Sequence, residues 1–140
     1  MHLEKEFVVD RDPEQARQRC SDDEVLLDLF PGTRTEIIES RGDRRTVRTH
    51  YVALGQQGSA TFHFDFVPGD DIHFEKVCDG RVWRELRGRV SFKAKGAGTR
   101  VRVSLDGRTK PLVPEFTIKG AMQDQLDQMA RALRQRLADG

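Results

Sequence analysis

Hydrophobic and polar positions along this chain fall into three regimes. Leu3, Phe7 and Val9 alternate with Glu4 and Glu6, which predicts an opening strand over Leu3 to Val9, with Lys5 as the exception on its inner side. Two clipped helices follow. Asp12 supplies an N-cap with Pro13 at the first helical position, and that helix runs to about Arg19. Ser21-Asp22-Asp23-Glu24 reads as a capping box opening a second helix, which carries Val25, Leu26, Leu29 and Phe30 until Pro31-Gly32 ends it.

From Thr33 the period changes to two. Thr35 to Arg41, Thr46 to Leu54, Ala60 to Val67, Ile72 to Asp79, Leu86 to Lys95 and Thr99 to Arg108 alternate as strands. They are punctuated by Gly42-Asp43, Gly55-Gln56-Gln57-Gly58, Pro68-Gly69-Asp70, Gly80 and Gly96-Ala97-Gly98. Six strands on short connections predict an antiparallel meander, with the opening strand pairing at an edge or completing the sheet. The third regime is helical: Ile118, Met122, Leu126, Met129, Leu133 and Leu137 recur every three or four residues, forming one apolar stripe after Pro111 to Pro114. The fold class expected is therefore α+β, a curved antiparallel sheet of about seven strands around a long C-terminal helix, with two short helices after the first strand.

At 140 residues the chain fits a single domain spanning 1 to 140, large enough for one core. No stretch approaches the roughly 20 apolar residues of a membrane span, and no signal peptide is evident at the start, so a cytoplasmic protein is expected. Cys20 and Cys78 are isolated and read as reduced thiols. The net charge of +1 hides an asymmetry: residues 1 to 40 hold 5 Lys/Arg against 11 Asp/Glu, whereas residues 81 to 110 hold 10 against 2.

The element order resembles the START-like, or helix-grip, superfamily, and in particular its small bacterial polyketide cyclase/dehydrase and lipid-transport-like members. The residues that carry the resemblance are the opening strand followed by Asp12-Pro13-Glu14, the Asp28 to Gly32 segment after the paired helices, and Gly98-Thr99-Arg100-Val101 entering the last strand. The resemblance implies a cavity between the concave sheet face and the last helix. Members bind lipids, quinones, polyketides or hormones, and a minority catalyse cyclisation or aromatisation.

The inner face of the strand 60 to 67 presents Phe62, Phe64 and Phe66. A hairpin tip at Pro68-Gly69-Asp70 sets Phe64 opposite Phe74 and Phe66 opposite Ile72, and it places Asp65 opposite His73 and His63 opposite Glu75 on the other face. Those two acid–imidazole pairs read as surface cross-strand pairs in preference to a proton relay. Lys76 falls on the inner face, where it would anchor an anionic group unless a bulge turns it outward. Tyr51 and Trp83 offer a hydroxyl and an indole N–H. With Phe92 and the helix residues Met122, Leu126 and Met129, these are the candidate ligand-binding residues: Tyr51, Phe62, Phe64, Phe66, Phe74, Lys76, Trp83, Phe92, Met122, Leu126 and Met129. No catalytic set, metal ligand spacing or cofactor motif is found.

A loop at Gly96 to Thr99 would set Lys95 opposite Arg100, Lys93 opposite Arg102 and Arg87 opposite Arg108, three like-charge pairs that an anion would relieve. Lys93, Lys95, Arg100 and Arg102 are thus candidate contacts for an anionic partner. The leading expectation is a non-enzymatic binding or transport protein for a small hydrophobic ligand. A cyclase-type enzyme, or a protein or ribosome interaction module using the basic hairpin, are the alternatives.

Overall fold

The computed structural model describes residues 1–30, 33–53, 55–78 and 81–138. In chain order the elements are β1 (His2–Val9), α1 (Pro13–Cys20), α2 (Asp23–Leu27), β2 (Arg34–Arg41), β3 (Arg44–Ala53), β4 (Gln56–Asp65), β5 (Ile72–Lys76), β6 (Trp83–Lys95), β7 (Gly98–Thr109), a short 3-10 turn (Glu115–Thr117) and α3 (Lys119–Ala138). The seven strands form one antiparallel sheet in the order β1-β7-β6-β5-β4-β3-β2, so the meander is continuous and β1 closes it by pairing with β7. This is the expected α+β arrangement of a curved sheet, two short helices and a long C-terminal helix. Among the described residues, no helix is long and apolar enough to cross a membrane.

Local chemistry sets the start of α1 but not that of α2. The Asp12 carboxylate accepts the Gln15 N–H at 2.8 Å, with Pro13 in the first turn, so α1 begins where its cap predicts. The capping box at Ser21 does not form. Ser21 still has helical backbone at the end of α1, and its hydroxyl donates to the Gln18 carbonyl at 2.7 Å. The N-cap position of α2 falls on Asp22, which makes no side-chain cap bond, while Glu24 is drawn to Arg19 at 2.5 Å. The two helices abut too closely for one residue to end the first and cap the second. Leu29 and Phe30 lie beyond α2, and Pro31 and Gly32 lie outside the described residues, as do Leu54, Asp79 and Gly80.

The β4–β5 register is the expected one: Phe64 faces Phe74, Asp65 faces His73 and His63 faces Glu75. The β6–β7 hairpin differs. Its turn is two residues long, Gly96-Ala97, with Gly96 at φ 58°, so Lys95 pairs with Gly98, Lys93 with Arg100, Ser91 with Arg102 and Arg87 with Asp106. A glycine that tolerates positive φ permits the tighter turn that suits the twist of a hairpin. The slip from the expected register is two residues, which leaves every side chain on its expected face; it breaks all three expected like-charge pairs and makes one new one, Lys93 opposite Arg100.

The core occupies one end of the trough. Phe64 stacks on Phe74 with ring centroids 5.1 Å apart and on Phe66 at 6.2 Å, and Val90, Val101 and Val103 are buried beside them. Helix α3 closes over this layer with Leu126, Met129, Ala130, Leu133 and Leu137, while Ile118 just before the helix and Met122 in its first turn are only half-buried. Lys5, the inner-face exception on β1, reaches Asp127 of α3 at 3.5 Å. Cys20 and Cys78 are both free.

Two measurements test this packing. A Cβ at Gly88 would overlap the Phe74 ring, so Gly88→Ala is expected to cost about 1–3 kcal/mol of stability, read from denaturant unfolding. Burial in the core pushes the Cys20 thiol up to about 12. In the native protein a thiol reagent should therefore label half-buried Cys78 first, and Cys20 only on unfolding.

Candidate functional site

At the other end of the trough the sheet and α3 part, leaving a cavity of about 450 Å³. Its floor is the concave sheet face: Thr49 and Tyr51 from β3, Ala60 and Phe62 from β4, Lys76 from β5, and Trp83 and Leu86 from β6. Ile118, Ala121, Met122 and Gln125 form the roof, and Phe30 and Thr33 the wall behind α2. Several of these residues are small, and that is why the space is not filled. Glycines opposite the aromatic residues let them lie low: a Cβ at Gly58 would sit 2.7 Å from the Tyr51 ring, and one at Gly107 2.5 Å from that of Trp83. A narrow extension of about 40 Å³ runs inward past Phe74, Leu126 and Met129. Beyond it, around Phe64, Phe66 and Leu133, only about 20 Å³ is open.

The structure therefore sorts the candidate residues. Tyr51, Phe62, Lys76, Trp83 and Met122 surround the cavity; Phe74, Leu126 and Met129 stand at its inner extension. Phe64 and Phe66 belong to the packed end, and Phe92 lies beneath the Arg17 guanidinium, 5.4 Å from the ring centroid. Sequence reasoning did not single out Thr49 and Ala60, although strand alternation puts them on the face of Tyr51 and Phe62. Phe30 and Thr33 leave no local signal, because only the tertiary fold swings that segment over β3 and β4. There Phe30 stacks on Phe62 at 5.1 Å.

The polar lining has a definite sense. The Thr33 hydroxyl donates to the Phe30 carbonyl at 2.7 Å, and a carbonyl can only accept. Thr33 has then spent its one proton, so Thr49 must donate to it at 2.7 Å, and Thr35 in turn to Thr49 at 3.2 Å. Among the described residues Lys76 Nζ, Trp83 Nε1 and the Tyr51 hydroxyl have no hydrogen-bond or ion-pair partner, and Lys76 is the one charged side chain lining the cavity.

On the convex face the acid–imidazole pairs do not connect as side chains. Asp65 accepts two bonds from Arg44 at 2.8 and 3.1 Å, and His63 Nδ1 contacts the Thr46 hydroxyl at 2.8 Å. Among the described residues no three potential metal ligands converge. The basic hairpin meets its counter-charge within the sheet, since β1 runs beside β7. Glu6 lies opposite Arg102 and accepts from its Nε at 2.7 Å; Arg100 stands 3.8 Å from Glu6, and Glu4 lies 3.3 Å from Arg102. Lys93 and Lys95 make no ion pair among the described residues, although the Lys95 charge also acts on Glu6.

The hydrogen bond from Arg102, and then its charge, hold the Glu6 carboxyl below its ordinary value of 4.5. A lowered carboxyl favours the folded state at neutral pH, and that contribution fades as pH falls through the lowered value. Replacing Arg102 with Gln should move the Glu6 titration, followed by NMR of its side-chain carboxyl carbon, back toward the ordinary range. An unchanged midpoint would show that the pair does not hold in solution.

Neither protein-family models nor curated proteins match this sequence. Solved structures do match its fold. TTHA0849 from Thermus thermophilus superimposes with a TM-score of 0.78 at 18% identity, over 98% of this chain and 97% of that one. The Zhui aromatase/cyclase from a Streptomyces species gives 0.76 at 17% identity, over 99% and 91%. A START superfamily protein from Mycobacterium smegmatis gives 0.71 at 24% identity, over 97% and 96%. With its seven-stranded trough gripping a C-terminal helix, the chain has the fold of the START-like helix-grip superfamily.

Proposed function

We propose that this protein binds a small hydrophobic molecule in the cavity between the sheet and the first turns of α3, as a binding or carrier protein. The observation that carries the reading is the cavity itself: about 450 Å³, walled by Phe30, Phe62, Trp83, Leu86 and Met122. That volume lies within the range of about 300–1,000 Å³ usual for ligand pockets, and an apolar wall with few polar groups is their usual chemistry. A half-buried methionine at the roof suits a ligand of irregular shape.

A cyclase-type activity is the alternative in the same cavity, favoured by the likeness to the Zhui aromatase/cyclase. Such chemistry needs a group able to take and return a proton. Among the described lining residues there is no histidine or carboxylate, and Lys76 and Tyr51 carry the titratable groups, which supports binding over catalysis. The interaction-module reading has less support, because Arg100 and Arg102 already face Glu4 and Glu6.

Native mass spectrometry of the purified protein, before and after organic extraction, tests the proposal. A bound small molecule released by solvent is expected. Ala121 lines the cavity from an exposed position on α3, so Ala121→Trp should fill the space without disturbing the packed end. It should weaken ligand binding at least tenfold, or about 1.4 kcal/mol, with little change in Tm. Trp83 is the one tryptophan in the native chain, and its fluorescence reports occupancy directly. Undiminished binding in Ala121→Trp would place the ligand elsewhere.

A further inference from the structure

We infer that the ligand of this cavity is an acid: an apolar body with one anionic oxygen group met by Lys76 and, at its far end, a hydroxyl that donates to Thr49 or Thr33. The inference rests on the proposed binding cavity and names the chemistry of its occupant.

Two independent features carry it. First, Lys76 lines a largely apolar cavity with no carboxylate among the described lining residues and no partner of its own. It is half-buried, so water reaches it while the cavity is open. A neutral apolar ligand would expel that water and leave a cation desolvated. An anionic group returns a charge-assisted hydrogen bond in its place.

Second, the bond order Thr35 to Thr49 to Thr33 to the Phe30 carbonyl commits every hydroxyl proton in that chain. Thr49 and Thr33 present only lone pairs to the cavity, so this side accepts a donor and repels a carboxylate or carbonyl oxygen. The two walls therefore ask for opposite chemistry. Lys76 faces Phe62 on β4, Phe62 faces Val47 on β3, and Thr49 lies two residues along β3. Strand spacing and rise put the Lys76 and Thr49 α-carbons about 12 Å apart. A bicyclic aromatic substituted at both ends bridges that gap once the lysine stem extends into it.

Isothermal titration calorimetry with four probes tests this: 2-naphthoate, its methyl ester, 6-hydroxy-2-naphthoate and 6-methoxy-2-naphthoate. The wild-type protein should bind 2-naphthoate at least tenfold more tightly than the ester, as expected for a charge-assisted bond. Lys76→Met should abolish that preference while still binding the ester, which also shows that the variant is folded. The 6-hydroxy acid should bind several-fold more tightly than the 6-methoxy acid, and Thr49→Val should remove that gain. If the ester binds as well as the acid, or Lys76→Met keeps the preference, the acid assignment fails and the cavity reading stands. If the hydroxyl and methoxy acids bind alike, the donor assignment fails. If no probe binds, both the inference and the binding proposal are overturned for a ligand of this size.

Discussion

Everything functional in this molecule depends on how far helix α3 is pressed into the sheet. From Leu126 onward it brings Leu126, Met129, Ala130, Leu133 and Leu137 against a layer of stacked phenylalanines, and there the interior is close-packed. Ile118 just ahead of it, with Ala121 and Met122 in its first turn, lies over a floor that includes Thr49 and Ala60. Side chains that small do not span the gap. One amphipathic stripe thus does two jobs, locking the fold at one end and roofing a cavity at the other.

The glycines opposite the aromatic residues belong to the same constraint. Phe74 lies across Gly88, Tyr51 across Gly58 and Trp83 across Gly107, so large rings rest on bare backbone. At the closed end this lets Phe74 stack with Phe64 beneath the helix; at the open end it lowers the floor. Opposed large and small residues decide where the trough is full and where it is hollow.

Charge is settled in a similar way. The acidic N-terminal stretch and the basic final hairpin look like surfaces awaiting separate partners, but β1 returns to the edge of β7 and sets Glu4 and Glu6 beside Arg100 and Arg102. Exposed pairs of this kind contribute little stability each. Their consequence lies in what they leave open: Lys93 and Lys95 on the surface, and in the cavity Lys76, a cation with no counter-charge among the described residues.

The element order, the faces of the strands and the helix stripe were legible in the amino-acid sequence because each is local. Alternation fixes which side of the sheet Phe62, Phe64 and Phe74 occupy, and it survives even the two-residue error in the β6–β7 hairpin, since an even slip returns each side chain to its own face. Asp12 and Pro13 announce α1 in the same local way. What the tertiary structure alone decided is everything that sums over distant segments. Ser21 reads as a cap until α1 is seen to run into it, and Phe30 and Thr33 join the site only because their segment crosses β3 and β4. The hollow itself belongs to no segment: it is the volume that side chains from six parts of the chain fail to fill, a remainder that no window of sequence contains.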